Sequence, residues 1–401
     1  VVWEMVNEMQ FPDSRLLRPD PPITAANMIE GMWSRGPMRR EFQERFRCFR
    51  ETVEPEVTEN EAFSRFVRQI AEEYFRRFWG ICREYFRGNV LHSQFYSYNG
   101  TAPAGLEELL EHTEYVDAQS VGTYLNAHGF DSVNTDDADH LALADFQFKR
   151  LAGQNGRRPR IAYEFDASCT LNGYPLAALG AMYAANGVQM AAYFTYTPAA
   201  VAAWNPGWLV HFLNIAHTPA RAAAFASAGK IFRNSWREKI EREEGQWKGK
   251  SFVIRRNGDH VVYRDRECFC SSGACDEEPV DRESLTLVCG RGNSPLVQCD
   301  GNGFYHLEKQ TDGRWLLTLF PAQRYLREPA RGRAFLSMAN RYVSCVRELP
   351  VSQLLERELA VRFPMFRTVR CFAAGTNREI PEGTEGFLLA PGRYLLEETS
   401  V

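Results

Sequence analysis

The chain has 401 residues, of which 44% are apolar and 13% aromatic, and a formal net charge of -4. That length exceeds what one hydrophobic core usually serves, so two domains are expected, with apolar residues enough for both. The small net charge and the lack of a long basic run argue against nucleic acid as a partner, and no stretch of about 18 uncharged apolar residues supports a membrane span.

From residue 1 to 234 short apolar runs alternate with amphipathic stretches, the pattern of a parallel βα architecture. The strand candidates are VVWEMV (1–6), NVLHSQFYSY (89–98), YVDAQSVGTY (115–124), RIAYEF (160–165) and VQMAAYFTY (188–196). Helices are expected over 61–86, 102–114, 138–153, 174–187 and 207–232. In the first of these Phe63, Phe66, Ile70, Tyr74 and Phe78 recur at helical spacing, which predicts a face packed on the sheet. No glycine-rich phosphate loop follows the first strand, so a nucleotide-binding sheet is disfavoured. Five βα units fit a (β/α)8 TIM barrel seen from strand four onward. The chain opens on Val1 and not Met, so three earlier strands are expected ahead of it, and the isolated 401 residues are expected to be poorly active. Localisation is open, extracellular or periplasmic if a leader precedes Val1.

Residues 234–250 read as a charged linker without strand pattern. Beyond it, short alternating runs such as SFVIRR, HVVYRD, LTLVCG, RWLLTLF and GRYLLEE, separated by turn residues, predict a second domain over 235–401, an antiparallel all-β sandwich. Ten cysteines lack the spacing of a disulfide scaffold. Cys268, Cys270 and Cys275 form the one tight cluster, read as a hairpin loop with a disulfide or free thiols. Its gaps do not suit zinc, and His92, His128, His211 and His217 make no ligand pattern. No metal and no cofactor is expected.

Two carboxylates stand where barrel chemistry is done, at the C-terminal ends of strands: Glu8, after Asn7 behind the first apolar run, and Glu164, at the end of RIAYEF. Such a pair suits glycoside hydrolysis, in which one carboxyl is protonated to release the leaving oxygen and the other is ionised to attack the anomeric carbon. Glu4, inside its strand, and Asp166, two residues past Glu164, rank below them.

In these motifs the sequence resembles the clan A glycoside hydrolases, TIM-barrel retaining glycosidases. The Asn7-Glu8 pair is similar to the clan's strand-four Asn-Glu, and Glu164-Phe165 resembles its strand-seven nucleophile region, with Asp166 where that pattern has Gly. The resemblance implies that Asn7 holds the sugar 2-hydroxyl, Glu8 is the acid/base and Glu164 the nucleophile. It further implies that Tyr124 hydrogen-bonds the nucleophile, with Gly122 at the place of a histidine, and that an aromatic after strand eight, Tyr193, Tyr196 or Trp204, forms a sugar platform. A carbohydrate is the expected substrate. The alternatives are a non-catalytic carbohydrate-binding protein and a barrel lyase using Tyr124 with a carboxylate.

Overall fold

The computed structural model describes residues 2–4, 37–85, 90–93, 113–120, 123–125, 141, 158–167, 170, 172–202, 213–255, 260–325 and 352–399. The protein is mixed α/β, with large sheets and few helices among the described residues. The chain divides into two units, Val1–Gly122 with Gln154–Ile161, and Thr123–Gly153 with Ala162–Val401.

In the first unit, β1 (Val2–Glu4), β2 (Val90–Ser93) and β3 (Ala118–Ser120) pair in parallel, each with the next. Helices α1 (Pro37–Arg50) and α2 (Glu59–Tyr85) carry the core of this unit. Glu59 and Glu61 in the first turn and Arg83 in the last match the helix dipole, and Thr58 Oγ1 accepts the Glu61 amide as a cap. Of the stripe read from the sequence, Phe63 and Phe66 are buried, together with Val67, Ala71 and Phe75. Their neighbours correct the expectation of a face packed on the sheet alone. Phe42, Phe46 and Phe49 of α1 meet Phe63 and Phe66 at ring separations of 5.3–6.1 Å. A helix absent from the sequence reading thus supplies much of the surface that α2 buries. Arg83 holds Asp117 through both carboxylate oxygens, pinning the end of α2 to the approach to β3.

β5 (Arg160–Asp166) begins against β3, in parallel, through Gln119 opposite Arg160 and Ser120 opposite Ile161. In the second unit its C-terminal end pairs in parallel with β4 (Thr123–Tyr124), and β6 (Val188–Tyr193) also pairs with it. Of the expected strand 115–124, residues 118–120 and 123–124 are strand, both laid against β5, and 115–117 are not. α3 (Pro175–Ala185) is buried on every side, as an all-apolar helix must be. After the short α4 (Ala199–Ala202) comes α5 (Pro219–Asn234). Of the expected helix over 207–232, residues 207–212 lie outside the described residues and 213–218 are not helical. Pro219 suits the first turn, and just before it Asn214 Oδ1 accepts the amides of Ala216 and His217, holding a turn and not a helix. The expected helices over 102–114 and 138–153 lie outside the described residues, save Thr113 and Glu114, which are not helical, and Leu141, which is.

From there the unit is β-rich. In chain order come β7 (Glu241–Glu243), β8 (Gln246–Lys248), β9 (Phe252–Arg255), β10 (His260–Arg264), β11 (Cys268–Ser271), β12 (Leu287–Gly290), β13 (Gln298–Cys299), β14 (Phe304–Lys309) and β15 (Trp315–Phe320). Next are β16 (Ala322–Tyr325), β17 (Ser352–Leu355), β18 (Leu359–Arg362), β19 (Val369–Ala373), β20 (Arg378–Ile380), β21 (Glu382–Gly383), β22 (Gly386–Leu389) and β23 (Gly392–Glu398). Among the described residues, eleven strands form one sheet, ordered β20-β19-β23-β15-β14-β12-β11-β10-β9-β8-β7, and four form another, β13-β18-β22-β21, with β16-β17 a separate antiparallel pair. Two expectations are corrected. The charged segment read as a linker forms the hairpin β7-β8, turned by Gly245 at φ +78 and anchored by buried Trp247. β11 and β12 pair in parallel, not antiparallel.

Strand alternation explains the core. Trp315, Leu317 and Leu319 of β15 point inward and join Phe269, Val288, Tyr305 and Leu307, while Leu359, Val361, Phe387 and Leu389 of the smaller sheet enter the same cluster. The other face of the large sheet lies under α5, where Ala220, Ala223 and Ala224 meet Phe304 and Phe320.

α5 also packs closely on α3. A Cβ on Gly180 would stand 2.7 Å from the Ala228 carbonyl oxygen. Gly180→Ala gains about 1 kcal/mol of helix propensity, but crowding a backbone atom in a packed core costs about 1–3 kcal/mol, so the clash wins. The variant is expected to unfold at lower urea concentration than the parent, as an equilibrium denaturation curve will show.

Candidate functional site

β5 projects the central carboxylate. Its alternation puts Phe165 toward the helices, with ring contacts at 5.4 Å to Tyr183, 5.7 Å to Tyr193 and 6.4 Å to Phe225. By the same alternation Glu164 shares its side of the strand with Ala162 and Asp166. It is only 8% exposed, an unusual place for a carboxylate.

Two residues on, Asp166 is fully buried in an ion pair with Arg221 of α5, at 2.6 Å. The guanidinium spreads over the end of β5 and the turn beyond it. It donates to the carbonyls of Ala167 at 3.0 Å and Thr170 at 2.9 Å, and to the Tyr193 hydroxyl at 2.6 Å. Asp166 Oδ1 also accepts the Ala167 amide at 2.7 Å. Gly173 makes room for this arrangement. Its φ of +65 favours glycine, and a Cβ there would sit 2.7 Å from Arg221 Cγ. Arg221 thus joins the C-terminal ends of β5 and β6. Burial pushes the Tyr193 phenol well above its ordinary value, a shift that the nearby Arg221 opposes and Asp166 reinforces.

The residues singled out from the sequence fall differently. Asn7, Glu8 and Trp204 lie outside the described residues, so the structure gives no Glu8 to Glu164 separation. Tyr124 is the strand partner of Asp166, one pair beyond Thr123 and Phe165. Tyr196 comes after β6 and is 57% exposed, its backbone bridged in parallel to Leu213. Tyr193 is no platform, since its ring packs on Phe165 and Phe225 and its hydroxyl serves Arg221. Asp166 is committed to Arg221. The residue that sequence reasoning passed over is Arg221 itself, and its signal was a lone cation in the alanine-rich run PARAAAF. Among the described residues, no group of three or more His, Cys, Asp or Glu side chains is arranged to hold a metal, and no helix is long and apolar enough to cross a membrane.

No family model matches the chain, and no curated protein matches it. Among solved structures it is similar to an endo-beta-1,4-mannanase from Thermotoga petrophila, with 11% identity and a TM-score of 0.30 over 63% of this chain and 58% of that one. It is likewise similar to a monomeric beta-xylosidase from Caulobacter crescentus, with 11% identity and a TM-score of 0.30 over 84% of this chain and 65% of that one. The chain spans less than two thirds of the length of either.

Two measurements test the buried network. Arg221→Met strands the Asp166 carboxylate in the interior, which is expected to cost about 3–5 kcal/mol, whereas Arg221→Met with Asp166→Leu loses less because no charge is left unpaired. Urea denaturation of the three proteins gives the comparison. For Tyr193, the folded state keeps a proton that the unfolded chain releases near pH 10. Its contribution is therefore intact below about pH 10 and lost as pH rises toward the higher folded value. Tyr193→Phe is expected to flatten the alkaline fall in stability, read as denaturation midpoints across that range.

Proposed function

We propose that the protein is a retaining glycoside hydrolase, with Glu164 as nucleophile and Glu8 as general acid/base. The observation that carries the reading is the placement of Glu164: a buried carboxylate at the C-terminal rim of a strand with parallel partners, two residues before the Asp166–Arg221 ion pair. In a βα barrel that rim is where catalytic groups sit. The pairing of β1 with β2, of β2 with β3, and of β5 with β3, β4 and β6 is the order expected of consecutive barrel strands. On this reading they are strands four to eight of a (β/α)8 TIM barrel, residues 1–234 are the catalytic domain, and residues 235–401 are a C-terminal sandwich domain.

The ion pair on Asp166 supports the division of labour. Two adjacent free carboxylates would repel each other and raise each other's proton affinity, but the Arg221 charge neutralises the neighbour. In the first displacement Glu164 attacks the anomeric carbon while Glu8 gives its proton to the glycosidic oxygen. Glu8 then takes a proton from water, which attacks the same carbon and releases the sugar with its configuration kept. Asn7 would hold the 2-hydroxyl, Tyr124 the nucleophile, and Tyr196 and Trp204 would offer flat faces to sugar rings.

The test uses the protein with nitrophenyl glycosides. Glu164→Gln is expected to lower kcat by at least about 1,000-fold, and Glu8→Gln by on the order of 100- to 10,000-fold with activity partly kept on the best leaving groups. NMR of the first product formed should show the β- or α-configuration of the substrate. Undiminished turnover by Glu164→Gln, or an inverted product, would sink the reading.

A further inference from the structure

The large sheet carries a second chemical feature on the face beneath α5. Cys270 of β11 is the direct strand partner of Cys289 of β12, and Cys289 is that of His306 of β14, so the three stand in one row across the sheet. Cys268 shares this face, two residues before Cys270, while the intervening Phe269 points to the opposite core together with Val288 and Tyr305. Above the row, Ser227 Oγ of α5 lies 3.4 Å from Cys289 Sγ and 3.3 Å from His306 Nε2. Cys268, Cys270 and Cys289 are free thiols, all buried.

The row is chemically polarised. Hydrogen bonds from Cys268 and Cys270 hold the Cys289 thiol well below its ordinary value, helped by nearby His306 and Ser227 and opposed by burial. Cys268 and Cys270 are pushed up by the same contacts and by burial. Cys289 is thus the sulfur that its two neighbours favour as the hydrogen-bond acceptor. The distances suit a covalent link, since adjacent strands lie about 4.8 Å apart and disulfides span Cα separations of about 4.4–6.8 Å. Cys268 and Cys270, along one strand with their side chains parallel, do not suit one another.

We propose that Cys289 reacts with hydrogen peroxide and closes a disulfide with its direct strand partner Cys270 across β11 and β12. The Cys289 sulfur attacks one oxygen of hydrogen peroxide and the O–O bond breaks, leaving Cys289 as a sulfenic acid and releasing hydroxide. Hydroxide takes the proton of the neighbouring thiol and becomes water. The new thiolate attacks the Cys289 sulfur, the S–O bond breaks, and a second hydroxide leaves to be protonated by solvent. Two sulfurs are oxidised, and the two peroxide oxygens are reduced to water. Burial favours this oxidant over bulkier disulfides, because peroxide is close to water in size.

The experiment treats the folded protein with hydrogen peroxide, alkylates it in denaturant without reductant, and maps the peptides by mass spectrometry. The expected result is a peptide pair joining Cys289 to Cys270 that vanishes on reduction, while Cys371, buried on the other face of the sheet, remains an alkylated thiol. Cys289→Ser should leave Cys268 and Cys270 both alkylated. Recovery of Cys289 as a free thiol, its conversion to sulfinic acid with both neighbours free, or a Cys268–Cys270 bridge in the variant would overturn the proposal. If the variant does not fold, the map of the parent protein decides alone. None of these outcomes depends on whether the protein cleaves sugars.

Discussion

A guanidinium sealed from water dictates the architecture around β5. Removing such an ion from solvent costs several kcal/mol unless its donors are met, so Arg221 is tolerable only where acceptors converge on it. They come from four places: the carboxylate of Asp166, the carbonyls of Ala167 and Thr170, and the hydroxyl of Tyr193. Meeting that demand fixes the path of the chain after β5, requires Gly173 to lack a side chain, and sets β6 at its place beside β5. Glu164 lies two residues upstream on the strand that the network clamps.

The large sheet obeys a different constraint. It is covered on both faces, so its central strands cannot alternate apolar with polar as a one-sided sheet does. β11 is buried at all four positions, and β12 is buried throughout save for its half-buried first residue. One face meets a core of bulky aliphatic and aromatic side chains; the other meets small alanines and a serine of α5.

Much of the parallel region could be read from the sequence. RIAYEF and VQMAAYFTY are dense apolar runs bounded by turn residues, and the structure places β5 and β6 on them. The helix at 61–86 was legible for the same reason, its periodicity running over seven turns. What was not legible depended on partners. α1 escaped because its three phenylalanines are diluted by charge, and only the facing stripe of α2 makes them a core. The parallel pairing of β11 with β12 joins segments far apart in sequence, so no local alternation announces it. Glu164 was visible as the last polar residue of an apolar run, but Arg221, 57 residues downstream, becomes meaningful only once the fold brings it to Asp166.

One helix serves both constraints. Along α5, Arg221, Phe225 and Ala228 recur at i, i+4 and i+7 and look toward β5, β6 and α3, while Ala220, Ala224, Ser227 and Ile231 form the adjoining stripe toward the large sheet. Each residue advances the helix by about 100°, so the angular phase between the stripes is set by the residue count alone. A single inserted or deleted residue between Arg221 and Ser227 would swing one stripe out of register whichever way the helix turned to save the other. Length drift, tolerated readily in surface loops, is therefore closed to this stretch.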